Sequence, residues 1–403
     1  MMRLRLFPPA VVVLCLTVLN AHAMAGSIVS VEHDRTYGTQ EVNGMAARLF
    51  NGHATPPADH SVAVYRLRFR SIDLDGRDTV ITAQIFIPRF TEHSERPLYV
   101  FAAGTTGLTD SCRTSREHEV GVNWGLYRNH LLAHAGQGII GVLPDYMHFG
   151  DPNRLQPYFV SEAEGRALLD SVRAVGAYFN GPGSSHAVRP ARPAFLAGFS
   201  QGGHAAFAAA DIRDEYAPEV ELGGIIGYGP TTNVEDLFRE FSLVAPAIIY
   251  TYAARYGEDR FDPAAMLADR WLASLEHDVT RLCILGYQSY YPWRPSPLFR
   301  PEFTAALVNR RLQAEYPEIH RILSKHNTGL SGHGVPALIM QGTNDVVINQ
   351  ADQTRFVTAL RDRGSTVRYR VYPDTPHDTR QAGFREALSW MERQIRNTQE
   401  SRR

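Results

Sequence analysis

The sequence carries almost no net charge, because 41 lysines and arginines are matched by 42 aspartates and glutamates. Proteins that bind nucleic acid or anionic membranes through electrostatics need a basic surface, and no such excess is present. The chain is not depleted in apolar residues either: 44% of it is hydrophobic, with 19 Phe, 18 Tyr and 4 Trp, which excludes a disordered protein. We therefore predict a folded protein with a large core and no nucleic-acid partner.

Motifs for metal ions and nucleotide cofactors are missing. The sequence contains no HExxH, no pair of CxxC motifs and no carboxylate cluster with the spacing of metal ligands. Scattered glycines such as those of Gly227-Tyr228-Gly229 do not form a dinucleotide fingerprint. We expect a protein that works without a metal ion or a cofactor.

Long hydrophobic runs are confined to the N-terminus. Two arginines precede an apolar segment at 10–19, and residues 21–23 (Ala-His-Ala) have the small-x-small form of a cleavage site. The segment is too short to span a bilayer, and no later stretch reaches that length. We predict a signal peptide over 1–23, with Met24 or Gly26 as the first mature residue. The protein is then exported to the periplasm or the extracellular space, without integral membrane association.

Cysteine is scarce, with three residues in 403. Cys15 would be removed with the signal peptide, which leaves Cys112 and Cys283. An exported chain with two cysteines is expected to form one disulfide, and two free thiols are the alternative.

Short apolar runs alternate with helical patterns along the chain. Residues 62–70 and 79–87 alternate apolar and polar side chains around a turn, which predicts a hairpin. Later runs lack this alternation, as strands buried on both faces do; they cover 98–103, 138–144, 194–199, 222–228, 335–341 and, more weakly, 369–372. Helical patterns between them cover 161–179, 201–215, 350–363 and 382–396. This order predicts an α/β fold with a mostly parallel sheet covered by helices on both faces.

Two segments depart from this alternation. Residues 24–60 show no sustained period, and we interpret them as an irregular N-terminal arm. Residues 231–330 look helical and aromatic, and a structureless loop of that size is improbable in a compact domain. We predict a helical cap over 231–330, inserted into a catalytic domain formed by 61–230 and 331–403.

The segment Gly198-Phe199-Ser200-Gln201-Gly202 fits the motif G-x-S-x-G, and it lies between a buried run and a helix. In this context the serine occupies a strained turn that exposes its hydroxyl, and a Cβ atom at either glycine would strike a neighbouring strand or helix. We predict Ser200 as a nucleophile; a glycine-rich structural turn is the alternative.

A serine needs a base to take its proton and an acid to orient that base. In α/β-hydrolases the order along the chain is Ser, then Asp or Glu, then His. Asp345 and His377 satisfy this order, and both follow strands, where open α/β sheets place their sites. Other candidates for the base are His148, His204 and His333. Other acids are Asp374 and Asp378, which are too close in sequence to His377, and Asp145, which precedes the serine.

The oxyanion that develops during acyl transfer needs backbone donors. The N–H of Gln201 follows the nucleophile at the start of its helix. A second donor is expected from residues 102–107, the predicted oxyanion loop, with Thr105 as our choice and Thr106 as the alternative. A plain turn is the other interpretation of this loop.

Together these motifs resemble the secretory lipase family of α/β-hydrolases, which includes fungal lipases of the Candida lipase A type and exported bacterial relatives. The resemblance runs from about residue 66 to about 391. It is carried by GTTG at 104–107 with Cys112 after it, PDY at 144–146, EGR at 164–166, GFSQGGH at 198–204, QGTND at 341–345 and His377.

The resemblance implies an α/β-hydrolase fold with a helical cap inserted before the strand that carries the triad acid. It places Ser200, Asp345 and His377 on triad positions and Thr105 and Gln201 on oxyanion positions. It also implies a pairing of Cys112 with Cys283. One departure is Ala103, where relatives often have a histidine whose part in holding the loop would be missing.

We therefore expect an exported serine esterase or lipase acting on a small-molecule or lipid ester. A peptidase or amidase could use the same triad, and a catalytically silent binding protein could share the fold. The sequence does not predict the acyl-chain preference or the oligomeric state.

Overall fold

A computed structural model of the chain describes residues 25–50, 53, 56–182 and 184–401. The predicted signal peptide, 1–23, lies outside these residues. The strands, in chain order, are β1 (Ile28–Tyr37), β2 (Val62–Ile72), β3 (Asp78–Pro88), β4 (Ser94–Arg96), β5 (Leu98–Ala102), β6 (Ile140–Pro144), β7 (Val188–Pro190), β8 (Ala194–Phe199), β9 (Leu222–Tyr228), β10 (Ala337–Gly342) and β11 (Val367–Tyr372).

Nine of these strands form one sheet in the order β1-β2-β3-β6-β5-β8-β9-β10-β11, and β4 pairs with β7 separately. The pairs β1/β2, β2/β3 and β3/β6 are antiparallel. From β6 to β11 every neighbouring pair is parallel. The predicted mostly parallel sheet that begins with a hairpin is therefore confirmed.

Helices cover both faces of this sheet. Outside 231–330 they are α1 (Thr39–Phe50), α2 (Glu117–Val120), α3 (Tyr127–Gly136), α4 (Ser161–Asn180), α5 (Gln201–Tyr216), α16 (Gln350–Asp362) and α17 (Arg380–Ser401), with 3-10 turns at Asp110–Cys112 and Thr114–Arg116. In β5, Phe101 belongs to a core cluster with Leu131 of α3, whereas its neighbour Val100 belongs to a second cluster with Leu168 of α4 and Phe207 of α5. Successive side chains of one strand thus pack into two cores, one on each face of the sheet.

The segment between β9 and β10 is helical and contains no strand, although Cys283, Leu267 and Phe299 take part in isolated β-bridges. Its helices are α6 (Val234–Glu240), α7 (Ala245–Tyr256), α8 (Pro263–Met266), α9 (Asp269–Leu272), α10 (Leu275–Arg281), α11 (Ile284–Tyr290), α12 (Pro295–Leu298), α13 (Pro301–Val308), α14 (Leu312–Glu315) and α15 (Pro317–Lys325), with a 3-10 turn at Ser242–Val244. Buried rings such as those of Phe238 and Tyr252 join the cluster that contains Phe101. The helical character agrees with the sequence pattern, and the division into cap and catalytic domain stays a prediction.

None of the helices in the described part of the chain is both long enough and apolar enough to cross a bilayer.

The prediction of an irregular arm over 24–60 is wrong for most of that segment. It contains β1, which pairs with β2 at the edge of the sheet, and the helix α1. Nearly all side chains of β1 are exposed, so an apolar period cannot reveal this strand. In α1 the buried side chains are those of Val42, Ala46, Leu49 and Phe50. This helical spacing covers too short a stretch to stand out in the sequence.

The packing of α1 gives a prediction. Phe50 is 1% exposed, and its ring centroid lies 4.9 Å from that of Phe384 in α17. Replacing Phe50 by Ala should lower the free energy of unfolding by about 3 kcal/mol, because the lost ring leaves a cavity between two helices. Chemical denaturation measures this loss. Arg48→Ala, on the exposed face of α1, should change the free energy of unfolding by less than about 0.5 kcal/mol. Equal losses of unfolding free energy in the two variants would show that α1 does not pack on the rest of the protein.

Candidate active site

Ser200 lies where the chain turns from β8 into α5. Its backbone angles, φ 54° and ψ −115°, lie outside the regions that residues with a side chain normally occupy. A conformation of this kind costs on the order of 1–3 kcal/mol, which the surrounding structure must offset. The turn is the strained strand-to-helix junction that the motif predicts for an exposed serine hydroxyl.

The glycines at 198 and 202 are required by the space around this turn. A Cβ atom on Gly198 would lie 1.9 Å from the carbonyl oxygen of Gly202. A Cβ atom on Gly202 would lie 1.9 Å from the carbonyl oxygen of Ala102 in β5. Backbone atoms cannot move aside as the end of a flexible side chain can, so the steric reason predicted for the motif is confirmed.

The side chains of Asp345 and His377 meet at the ends of β10 and β11. His377 Nδ1 lies 2.9 Å from Asp345 Oδ2. An ionised carboxylate only accepts hydrogen bonds, so Nδ1 is the nitrogen that carries a proton here. In the tautomer with a single proton on Nδ1, Nε2 presents its lone pair. His377 Nε2 is buried and has no hydrogen-bond partner among the described residues. A general base needs an oriented acceptor nitrogen of this kind.

The carboxylate of Asp345 is held in its ionised form. Its side chain is 1% exposed, and Oδ1 accepts hydrogen bonds from the backbone N–H groups of Val347 and Ile348, both at 2.8 Å. Burial alone would raise the pKa of Asp345, but His377 and these two N–H groups outweigh burial and lower the pKa below its ordinary value. The charge therefore persists beside the imidazole that it orients.

Ser200 and His377 line the same cavity, which has a volume of about 310 Å³. The rest of its wall is mainly aromatic and aliphatic, with Tyr127, Phe159, Phe241, Ile284, Trp293 and Val347 among its residues. A cavity with a few polar groups in an apolar wall is typical of a small-molecule site and suits an uncharged ligand.

Of the two threonines considered as oxyanion donors, only Thr105 lines this cavity. Its hydroxyl lies 2.6 Å from the Tyr158 hydroxyl, which fixes the side chain and leaves the backbone N–H uninvolved in that contact. Thr106 is 2% exposed, and its carbonyl accepts a hydrogen bond from Ile284 N at 2.8 Å. Gln201, the other predicted donor, begins α5 directly after Ser200 and is 1% exposed.

The predicted oxyanion loop is joined to the helical segment 231–330. A disulfide links Cys112 to Cys283, with Cα atoms 5.5 Å apart, as the resemblance implies. Cys283 also forms a β-bridge with Gly107. The covalent bond and the backbone contacts hold one edge of the predicted cap against the loop that contains Thr105.

The backbone carbonyl of Ala103 is held by the side chain of Tyr146, the last residue of the PDY motif. The Tyr146 hydroxyl donates a hydrogen bond to the Ala103 carbonyl at 2.5 Å, and Tyr146 is 3% exposed. Tyr146 therefore supports the start of the predicted oxyanion loop. The PDY motif marked this tyrosine, but its partner could not be read from the sequence.

The other histidines considered as bases have separate surroundings. None of His148, His204 and His333 lines the cavity of Ser200. His148 Nδ1 contacts the carbonyl of Leu155, and His333 Nδ1 accepts from Val335 N, both at 3.0 Å. His204 lies fully in the core.

The other acids are also occupied elsewhere. Asp145 accepts hydrogen bonds from the backbone N–H and the hydroxyl of Ser115, at 2.8 and 2.7 Å. Asp378 forms an ion pair with Arg380 at 2.5 Å, and Asp374 is exposed in the turn before His377. Asp345 is the acid that contacts His377 Nδ1.

Arg380 was not predicted from the sequence, yet it supports the segment that carries His377. Its side chain is 1% exposed, and its guanidinium carbon lies 4.9 Å from the ring centroid of Phe199 and 5.0 Å from that of Tyr127. The cation stacks on these rings while it pairs with Asp378, the residue after His377. A buried arginine near the end of a chain gives no sequence signal of such a role.

No group of three or more His, Cys, Asp or Glu side chains is arranged to hold a metal ion within residues 25–50, 53, 56–182 and 184–401.

Comparison with protein families gives two matches. Residues 126–248, which contain Ser200, match the model described as secretory lipase. The predicted resemblance to the secretory lipases is confirmed. The match also bears out the expected enzyme class, a hydrolase of carboxylic esters. Residues 287–398, which contain Asp345 and His377, match the prolyl oligopeptidase family. No curated protein matches the sequence.

Solved structures similar to this chain establish its fold. The rice cell wall degrading esterase LipA from Xanthomonas oryzae is 18% identical with a TM-score of 0.70, covering 92% of this chain and 97% of that one. Candida antarctica lipase A in its closed state is 18% identical with a TM-score of 0.64, covering 93% and 83%. A Legionella pneumophila protein is 16% identical with a TM-score of 0.73, covering 92% and 98%. The chain has the α/β-hydrolase fold.

The surroundings of Asp145 give a prediction about pH and stability. Burial raises the pKa of Asp145 to about 7, although Ser115 and Arg113 oppose the shift. Between about pH 4 and pH 7 the native state therefore holds a proton that the unfolded chain has released, and the free energy of unfolding falls as pH rises. The loss would reach about 4 kcal/mol over this range.

Asp145→Asn should remove this component, because an amide does not titrate. Denaturant unfolding of the wild type and the variant at pH 4, 5.5 and 7 measures the difference between their profiles. The difference between the free energies of unfolding of the wild type and of the variant should narrow or reverse as pH rises toward 7. Parallel profiles across the range would contradict the prediction.

Proposed function

We propose that this protein is an exported serine hydrolase that cleaves carboxylic esters through an acyl-enzyme. The observation that carries the proposal is the contact of 2.9 Å between His377 Nδ1 and Asp345 Oδ2, with Nε2 free of hydrogen-bond partners among the described residues. His377 lines one cavity with Ser200, whose strained backbone suits a nucleophile.

The arrangement supports a two-step reaction. In the first step Ser200 Oγ attacks the ester carbonyl carbon, and His377 Nε2 takes the hydroxyl proton. The backbone N–H groups of Thr105 and Gln201 stabilise the oxyanion, which collapses to an acyl-enzyme as the protonated imidazole gives its proton to the leaving alcohol. In the second step water attacks the acyl-enzyme with His377 again as base, and the acid and free Ser200 are released. Asp345 orients the imidazole and stabilises its cation.

An uncharged ester with an apolar or aromatic acyl group is the substrate that suits the site. The cavity of about 310 Å³ has a wall rich in aromatic side chains. Structurally similar proteins include an esterase and a lipase, which supports a small-molecule or lipid ester. Export is supported by the N-terminal sequence, the match to a secretory family and the disulfide.

Ser200→Ala should lower kcat for a p-nitrophenyl ester by roughly 10⁴ to 10⁶ while the protein stays folded, because the nucleophile is lost and the turn is unchanged. Fluorophosphonate labelling of the wild type but not of the variant is the second measurement. Ser389→Ala, an exposed serine of α17 that does not line the cavity, is the matched control and should retain full activity and labelling. Near-normal turnover by Ser200→Ala would refute the assignment, and an unlabelled wild type would favour a silent binding protein.

A peptidase is the second candidate, because residues 287–398 match the prolyl oligopeptidase family. The same triad can attack an amide. The two functions are therefore distinguished by the rates with an ester and with an amide that differ only in the leaving group. We expect kcat/KM for an acyl p-nitrophenyl ester to exceed greatly that for the matching p-nitroanilide with the same acyl group. Comparable rates for the two substrates, both abolished in Ser200→Ala, would overturn the ester assignment in favour of a peptidase or amidase.

A further inference from the structure

Glu164 and His204 form a buried pair that the proposed triad does not use. Glu164 lies in the first turn of α4 and is 1% exposed, and His204 lies in the first turn of α5 and is fully buried. Glu164 Oε2 and His204 Nδ1 are 2.6 Å apart. A buried carboxylate is costly unless its oxygens are satisfied, so a pair at this position needs a reason in packing or function.

The other oxygen of Glu164 reaches the proposed oxyanion residue. Oε1 accepts a hydrogen bond from Gln201 Nε2 at 2.7 Å and one from the backbone N–H of Phe159 at 3.0 Å. Gln201 is the residue whose backbone N–H is the proposed oxyanion donor, and Phe159 lines the cavity of Ser200. One carboxylate therefore fixes the first residue of the nucleophile helix and one wall of the cavity.

Both ring nitrogens of His204 face oxygen atoms. Nε2 lies 2.6 Å from the His326 carbonyl oxygen, which can only accept, so Nε2 carries a hydrogen. A hydrogen bond also joins Nδ1 to Glu164 Oε2. Each polar atom of the pair therefore has a partner. Such fully satisfied networks hold their members in one arrangement.

The same network reaches the predicted cap. The His326 imidazole lies between the backbone N–H of Ser161, 3.3 Å from Nδ1, and the Tyr256 hydroxyl, 2.6 Å from Nε2. Burial, followed by the charge of His204, lowers the pKa of His326 to about 3. His326 is therefore neutral, and it connects the end of α7 to the core through its carbonyl contact with His204.

We propose that Glu164 is a positioning residue that aims the backbone N–H of Gln201 at the oxyanion and links this donor, through His204 and His326, to the cap. The inference rests on the proposed function, because it assigns Glu164 a part in that reaction. Oxyanion donors must be placed to within a fraction of an ångström, so loss of the contact lowers the rate without removing any group that touches the substrate.

Two variants remove the hydrogen bond between Gln201 and Glu164. Gln201→Met keeps the backbone N–H and the side-chain volume but removes the donor to Glu164, and Glu164→Leu removes the acceptor. Each should lower kcat for a p-nitrophenyl ester by about tenfold or more, with KM changed by less than about threefold. Phenylboronic acid, whose tetrahedral adduct carries an oxygen in the place of the oxyanion, should lose affinity by a similar factor.

Glu164→Gln is the conservative variant and should restore most of kcat. Its amide oxygen can accept from Gln201 and Phe159, while its NH₂ group donates to Nδ1 of a neutral His204. If Glu164→Leu does not fold, Gln201→Met and Glu164→Gln still decide the question.

Asp170→Asn is the matched structural control. Asp170 lies in the same helix, is fully buried, and accepts hydrogen bonds from Ser71 at 2.6 Å and Tyr216 at 2.8 Å. It should lower the Tm while kcat and boronate affinity stay within about twofold. Reduced kcat and boronate affinity in Gln201→Met, rescued in Glu164→Gln relative to Glu164→Leu, would support the proposal.

Unchanged kcat and boronate affinity in Gln201→Met, in an active wild type, would overturn this inference alone. A wild type without esterase activity or fluorophosphonate labelling would overturn the proposed function and this inference with it.

Discussion

Ser200 occupies a backbone conformation that residues with a side chain seldom adopt, and the rest of the site is arranged around it. The strand before it and the helix after it approach so closely that a Cβ atom at Gly198 or Gly202 would overlap backbone atoms. Hydrogen bonds hold the turn from two directions, because Ser200 N donates to the Tyr228 carbonyl and the Ser200 carbonyl accepts from Thr231 N. Hydrogen bonds to the end of β9 and to the loop after it thus hold the strained turn in place, and they also fix where α5 begins.

The second constraint is the junction between the predicted oxyanion loop and the predicted cap. Thr106 and Gly107 form backbone contacts with Ile284 and Cys283, and a disulfide adds a covalent bond beside them. On the proposed mechanism Thr105 is a donor to the oxyanion, so the cap segment that follows α10 is part of the support of the reacting atoms. A lid motion that opens the cavity would have to pivot about this junction or leave it in place, because the junction cannot separate while the disulfide is intact.

How far the sequence predicts this structure depends on how local each signal is. Ser200 and Asp345 follow strands with clear apolar runs, and His377 follows the weaker run at 369–372. The glycines around Ser200 reflect a steric requirement that the motif captures. The strand β1 escaped prediction because its exposed side chains carry no period. The contacts of Tyr146, Glu164 and Arg380 could not be predicted from the sequence for a different reason. Each joins residues far apart in sequence, and only the packing of helices on the sheet brings such partners together.

The two buried carboxylates near the site explain how charge is kept beside an apolar cavity. Asp345 accepts from His377 and from two backbone N–H groups, and Glu164 accepts from Gln201 and the Phe159 N–H while it pairs with His204. Burial of either anion without these partners would cost several kcal/mol. Because the partners belong to the proposed base, the proposed oxyanion residue and the cavity wall, satisfying each carboxylate also orders those groups. These hydrogen bonds involve protein groups alone, and on the proposed mechanism they reduce the reorganisation needed as charge develops on the ester oxygen.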